Sequence, residues 1–182
     1  MIICSSEEKI IYIDPMAEQE TIEIQEQGSA TIYIGANKKL QLDVALVKKD
    51  ASVRIVGRFL GSNNNKQEIV VRVLMQALHT NCDIRFRAAL HDTSSSFFDG
   101  MIRVEEGANN SRGYLSYHAL LLSPGAHAKP IPRLEVLTKE VASLGHTASV
   151  GKIDEEQLFY LQSRGLSHVE AEKIVVEGFL RV

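Results

Sequence analysis

In the stretch Asp83-Ile84-Arg85-Phe86-Arg87-Ala88-Ala89-Leu90, apolar Ile84, Phe86, Ala88 and Leu90 alternate with charged Asp83, Arg85 and Arg87. A period of two places one set on a buried face and the other in solvent, which is a β-strand and not a helix. The same alternation runs through Val53, Ile55, Gly57 and Phe59, interleaved with Arg54 and Arg58. Between them lies Ile69-Val70-Val71-Arg72-Val73-Leu74-Met75, a β-branched run suited to a strand covered on both sides. Further strands are expected at Thr21–Gln25, Ala30–Ile34, Leu40–Leu46, Met101–Val104, Tyr114–Leu122 and Leu134–Leu137. The turns Gln27-Gly28-Ser29, Gly35-Ala36-Asn37, Lys49-Asp50, Gly61-Ser62-Asn63-Asn64-Asn65, Gly107-Ala108-Asn109-Asn110 and Ser123-Pro124-Gly125 separate them. A small residue after a turn recurs as Ala30, Ala51, Ala108 and Ala126, at intervals of 21, 57 and 18 positions. Strands returning every 20–30 residues or so suggest a coil of β-rungs, each burying its apolar face against the next. A Greek-key sandwich remains the alternative on pattern alone, and strict hexapeptide periodicity is absent.

The grammar changes after residue 151. Asp154-Glu155-Glu156-Gln157 reads as a helix start, Gly165 as a stop, and Ser167-His168-Val169-Glu170 as a second capping box leading into Ala171, Ile174, Val175 and Phe179. The expected organisation is a β core over 1–151 and a two-helix segment over 152–182.

The chain has 182 residues, 45% hydrophobic and 24% charged, enough for a core without a disulfide or metal staple. Lys and Arg number 20 against 23 Asp and Glu, a net charge of −3, which excludes the basic footprint of a nucleic-acid binder. No apolar run is long enough to span a bilayer, and the opening MIICSSEEKI lacks the basic and apolar regions of a signal peptide. A cytoplasmic protein with reduced thiols is expected. Cys4 and Cys82 stand far apart, and His79, His91, His118, His127, His146 and His168 show no ligand spacing such as H-x-x-x-H. Phosphate-binding glycine loops and a G-x-S-x-G elbow are absent. His91-Asp92 followed by Ser94-Ser95-Ser96 reads as a polar turn and not a triad. Phe97-Phe98-Asp99-Gly100 reads as core and turn, and Asp14, Asp43, Asp92 and Asp99 as single carboxylates at strand edges or turns.

Three segments in order resemble one family. They are Phe98-Asp99-Gly100-Met101-Ile102-Arg103-Val104 (F-x-G-x-I-x-V), Gly125-Ala126-His127-Ala128-Lys129-Pro130-Ile131-Pro132-Arg133-Leu134-Glu135-Val136, and His146-Thr147-Ala148-Ser149-Val150-Gly151. The most specific piece follows: Ile153-Asp154-Glu155-Glu156-Gln157-Leu158-Phe159-Tyr160-Leu161-Gln162-Ser163-Arg164-Gly165-Leu166 (I-D-x-x-x-L-F-Y-L-x-S-R-G), then Ala171 and Glu177-Gly178-Phe179. Together they resemble the SufB/SufD family of the SUF system for iron–sulfur cluster assembly over residues 84–181. Residues 1–83 fit as further rungs.

The resemblance implies a right-handed parallel β-helix with a short C-terminal helical hairpin, acting as a non-catalytic assembly subunit. It implies pairing with a SufB- or SufD-type partner, or a second copy, through Leu134, Glu135, Val136, His146 and Val150. It also implies docking of a SufC-type ATPase through Leu158, Phe159, Tyr160, Arg164, Gly165 and Phe179. His146 matches the family's SufD-type histidine, a metal ligand to be shared with the partner, and stands in the short, flexible setting Leu144-Gly145-His146-Thr147. Ala126 stands where SufB-like chains carry a cysteine, and Thr147 where they carry an acidic residue, so the chain is closer to SufD. It is much shorter than typical members: a large N-terminal region and the helices after Phe179 are missing. No cofactor is expected on the chain alone, and a transient iron–sulfur cluster is the expected cargo of a complex. Two other readings stay open: a structural β-helix dimerisation module that binds no cluster, and a β-helical metalloenzyme using several histidines.

Overall fold

The computed structural model describes the backbone of residues 2–4, and backbone with side chains for residues 8–25, 28–35 and 38–181. The expected turn residues Gln27, Ala36 and Asn37, the Cys4 side chain and most of the opening segment lie outside the described residues. The strands are β1 (Ile2–Cys4), β2 (Glu8–Tyr12), β3 (Gln19–Ile24), β4 (Ser29–Ile34), β5 (Lys39–Leu46), β6 (Ser52–Gly61), β7 (Lys66–Met75), β8 (Asn81–Leu90), β9 (Ser95–Val104), β10 (Arg112–Leu121), β11 (His127–Val136) and β12 (Ser143–Lys152). Two helices follow, α1 (Glu155–Ser163) and α2 (His168–Leu180).

Consecutive strands alternate between two sheets, β1-β3-β5-β7-β9-β11 and β12-β10-β8-β6-β4-β2, and every pairing is parallel. The molecule is thus a parallel β-solenoid, and the sandwich alternative is excluded by its topology. Register advances by 21 and 23 residues at the first rungs of the second sheet (Glu8 to Ser29, Ser29 to Ser52). It then lengthens to 29 and 31 (Ser52 to Asn81, Asn81 to Arg112) as the strands grow to ten residues.

In-register parallel stacking places like residues above one another inside. One internal column reads Ile11, Ile32, Ile55, Ile84, Leu115, and the facing sheet stacks Ile22, Val44, Val73, Ile102 and Leu134. Val53, Ile55, Ile84 and Phe86 are buried, as the alternation requires, and Leu121 and Leu134 pack partly buried against the core. At the widest rungs, Phe86, Phe98 and Tyr117 stack with ring centroids 5.0–5.7 Å apart. Gly57 makes their room, since a Cβ there would lie 1.9 Å from Phe86 Cδ2.

Corners repeat as well. Asp50, His79 and Asn110 all take positive φ (63°, 59°, 56°) one rung apart. Asn63 and Asp92 do the same at another corner (55°, 54°). Asn, Asp and His tolerate this left-handed conformation better than other non-glycine residues. These residues punctuate the repeat. The alanines expected to mark it do not: Ala30 lies within β4, Ala51 and Ala108 precede β6 and β10, and Ala126 precedes β11, on the other side of the coil.

Three strand expectations are corrected. Phe97–Gly100 is not a turn but the middle of β9, with Phe98 in the core. β11 begins at His127 and not at Leu134, despite Pro130 and Pro132. Asp43 and Asp99 lie inside strands; Asp99 is clasped by Arg133, whose Nη2 is 2.6 and 2.7 Å from its two oxygens. In the helical segment, Asp154 caps α1 by accepting from the Glu156 N–H, and the reciprocal Ser167–Glu170 box caps α2. Gly165, at φ +96°, ends the first helix.

Candidate functional site

β11 and β12 are the last strands of their sheets, so one end of the solenoid closes on nothing within the described residues. Residues paired in a parallel ladder point the same way, so the register states what faces that end. From β11 come Ala128, Pro130, Pro132, Leu134 and Val136, stacked on inward residues of β9. From β12 come Leu144, His146, Ala148 and Val150, stacked on Gly113, Leu115, Tyr117 and Ala119. Val136 and Val150 remain 44% and 42% exposed. The result is an apolar end face with a single imidazole in it.

That imidazole occupies a telling position. His146 pairs with Leu115 and so terminates the aliphatic column that begins at Ile11. Every described rung below it places Ile or Leu there, which makes His146 a break in the pattern at an open end. It is not in a flexible loop, as its neighbours Leu144, Gly145 and Thr147 suggest; it sits inside the ten-residue strand β12. The ladder to β10 holds its backbone while its side chain stays exposed.

The two edges differ. His127 and Leu137 donate their N–H groups to Ser94 and Val104 of the neighbouring rung. Odd-numbered residues of β11 therefore face β9, and even-numbered ones face outward. Pro130 and Pro132 fall on the outward set and remove two donors from the open edge, a common protection of edge strands. β12 has no proline. Ser143 holds the register position of Arg112 and Asn81, whose N–H groups donate to Thr80 and Ala51 of the rung below, and its own N–H, like that of Ala142 just before the strand, points to the Ser111 carbonyl. By the same alternation the backbone groups of Leu144, His146, Ala148 and Val150 face outward, free to pair.

Of the expected interface set, Leu134, Val136, His146 and Val150 gather at this end. Glu135 does not: it points to the outer face of its sheet, where Arg103 Nη1 lies 3.1 Å from its carboxylate. The expected docking set also divides. Phe159 and Tyr160 are 72% and 57% exposed, with Arg164 stacked 5.2 Å from the Tyr160 ring centre. Leu158 is buried between the helices' inner faces and Phe179 turns toward the solenoid, so neither belongs to the exposed surface.

Three of the other histidines have structural settings. His79 is a corner residue, and His91 Nδ1 lies 4.0 Å from Glu172. His118 Nδ1 is 2.6 Å from Ser149 Oγ; partial burial, with Arg87 alongside, lowers its pKa below the ordinary range. His91, Asp92 and Ser94 build a corner: Asp92 accepts from the Asn63 N–H at 2.7 Å, and the Ser94 hydroxyl donates to the His91 carbonyl. Cys82 is buried and its thiol is pushed well up by that burial, with Asp83 adding to it. Burial also pushes the Tyr117 phenol up to about 12, against a smaller lowering by Ser96. Ala126, where a thiolate would have stood, is 2% exposed. Among the described residues, no group of three or more His, Cys, Asp or Glu side chains converges to hold a metal ion, and no helix is long and apolar enough to cross a membrane.

Comparison with known proteins bears on this arrangement. The family model described as "SUF system FeS cluster assembly, SufBD core domain" matches residues 15–179. The match takes in most of the first half, which sequence reading alone treated only as added rungs. A SufBD family iron–sulfur cluster assembly protein of Pyrococcus horikoshii is 31% identical over 171 residues, 93% of this chain and 38% of that protein. A SufBD family protein of Mycobacterium tuberculosis is 28% identical over 159 residues, 82% of this chain and 40% of its own. The SufD protein of Bacillus subtilis is 38% identical over 91 residues, 50% of this chain and 21% of that protein. The chain spans about two fifths of the length of the two SufBD relatives.

Proposed function

Because the chain belongs to the SufBD family of the SUF iron–sulfur cluster assembly system, we propose that it is a SufD-like, non-catalytic assembly subunit. It pairs through its last rung with a SufB- or SufD-type protein or a second copy, and it presents the helical pair to a SufC-type ATPase. One observation carries the reading: an aliphatic column repeated through the solenoid ends in His146 at an unpaired, proline-free edge. An edge of that kind invites strand pairing, and pairing there would bring His146 to the seam between subunits.

A nascent cluster is cargo here. Imidazole and thiolate are both ligands that iron accepts. One imidazole cannot hold a cluster, so the partner supplies the thiolates. The second reading, an interaction module that handles no cluster, draws on the apolar character of the rest of that end, where Leu134, Val136, Leu144, Ala148 and Val150 need only a matching surface.

His146→Ala separates the two. The side chain is exposed, so folding stability should change by less than about 0.5 kcal/mol and complex formation should persist. Transfer of iron and sulfide to an acceptor apoprotein, measured anaerobically in the reconstituted complex, should fall. Full transfer by the variant in a complex shown to be active favours the module without a cluster role.

A further inference from the structure

The helical pair meets the solenoid on the outward face of β8, and the contact is concentrated at the C-terminal end of α2. Arg87 aims Nη1 at the carbonyl oxygen of Phe179 and, at 2.9 Å, at that of Arg181. Its guanidinium carbon lies 5.4 Å from the centre of the Phe179 ring. The only described ion pair between a helix and the solenoid is the looser His91–Glu172 contact at 4.0 Å.

This geometry answers a need on each side. The last carbonyls of a helix have no partners within it and carry the negative end of its dipole. α2 has no basic residue in its last turn, so a cation 92 positions away in sequence serves those carbonyls. On the solenoid, register places Arg58, Arg87 and His118 side by side on adjacent strands. Neighbouring guanidiniums repel, and the carbonyl end of α2 offsets that repulsion at Arg87. The hairpin, in turn, is packed on itself: α1 contacts α2, and Leu158, Ala171 and Val176 are buried.

We propose that Arg87 is a latch holding the α1–α2 hairpin against the β8 face, so that the hairpin disengages as a unit while the solenoid stays folded. Arg87 is a positioning residue in this sense: it sets where the exposed Phe159 and Tyr160 stand relative to the β12 edge. The latch operates whatever the helices bind.

The test is hydrogen exchange by mass spectrometry on the full chain, comparing peptides from α2 with peptides from β6 to β10. A thirteen-residue helix released from its support frays readily. In Arg87→Ala the amides of α2 should exchange about ten- to a hundredfold faster, the range expected for loss of charge-assisted hydrogen bonds, while solenoid amides keep their protection. Arg87→Lys, which keeps the charge but not the forked donor, should fall between, and Phe179→Ala should loosen α2 by a smaller factor. Raising salt should speed α2 exchange in the parent chain more than in Arg87→Ala, because the charge–dipole attraction is screened. Unchanged α2 exchange in Arg87→Ala overturns the latch, whatever Phe179→Ala does. So does loss of solenoid protection together with that of α2.

Discussion

Replacing Gly57 with alanine tests the packing at the centre of the solenoid. A methyl group there would sit 1.9 Å from Phe86 Cδ2 and 2.0 Å from Cε2, far inside contact distance. Phe86 cannot simply turn aside, because Phe98 and Tyr117 flank it with centroids at 5.0 and 5.7 Å. Removing a glycine from a strand should by itself gain about 0.5–1 kcal/mol. Overpacking of a rigid core costs about 1–3 kcal/mol and sometimes more. The net expectation is a loss of roughly 1–2.5 kcal/mol, in the upper part of the difference because the overlap is so deep, read as a lower urea midpoint with an unchanged slope. Gly151→Ala serves as the control, since nothing lies within 4 Å of a Cβ there, and it should be neutral or slightly stabilising. Adding Phe86→Leu to Gly57→Ala should cost less than the sum of the two single changes, by about 1 kcal/mol or more, since the residues are in contact. A Gly57→Ala chain that melts with the parent, or strict additivity in the double variant, refutes the proposed packing.

Ser167→Ala should cost about 0.5–2 kcal/mol of local helix stability through loss of the capping box, seen as faster exchange in α2 with an unchanged solenoid midpoint. His118 has its folded pKa lowered from 6.5, chiefly by burial and secondarily by Arg87. The unfolded chain therefore binds the proton at higher pH, and stability contributed above about pH 6.5 is lost as pH falls toward the folded value. His118→Gln should flatten that acid-side decline; an identical slope between pH 7 and 5 contradicts the assignment. Cys82 should resist alkylation in the native chain and react only on unfolding, because its buried thiol ionises far less readily than a free one; rapid native labelling of the Cys82 peptide is the contrary result.

Much of the fold was legible because alternation and burial coincide. Ile55 and Ile84, apolar between charged neighbours, lie where the pattern puts them. The errors have physical causes. Pro130 and Pro132 read as breaks in a strand, and only the edge position of β11, with those nitrogens facing away from β9, makes them compatible with it. Leu144-Gly145-His146-Thr147 reads as a loop because its inward face packs on a rung that sequence alone does not place beneath it. The alanines that suggest the repeat in the sequence are not equivalent positions, whereas the left-handed corner residues Asp50, His79 and Asn110 carry the period. At the candidate site, the resemblance puts Glu135 in one set with Leu134 and Val136, whereas successive strand residues face opposite ways and Glu135 stands on the outer face. The clasp of Arg87 on α2 left no trace in local pattern, since it joins residues 92 positions apart.

The central claim, that this chain assembles through the open edge of β12, is tested most directly by the native mass of the protein after anaerobic co-expression with SufB- and SufC-type proteins. The parent chain should run as a defined complex. Ala148→Pro, which places a proline at an outward-facing position of β12 as Pro130 and Pro132 already do in β11, should fold with the same helix and strand content yet lose the SufB-type protein from its complex while keeping the SufC-type ATPase on its helices. A parent chain that is itself a monomer under these conditions, or an Ala148→Pro chain that assembles as well as the parent, would contradict the account.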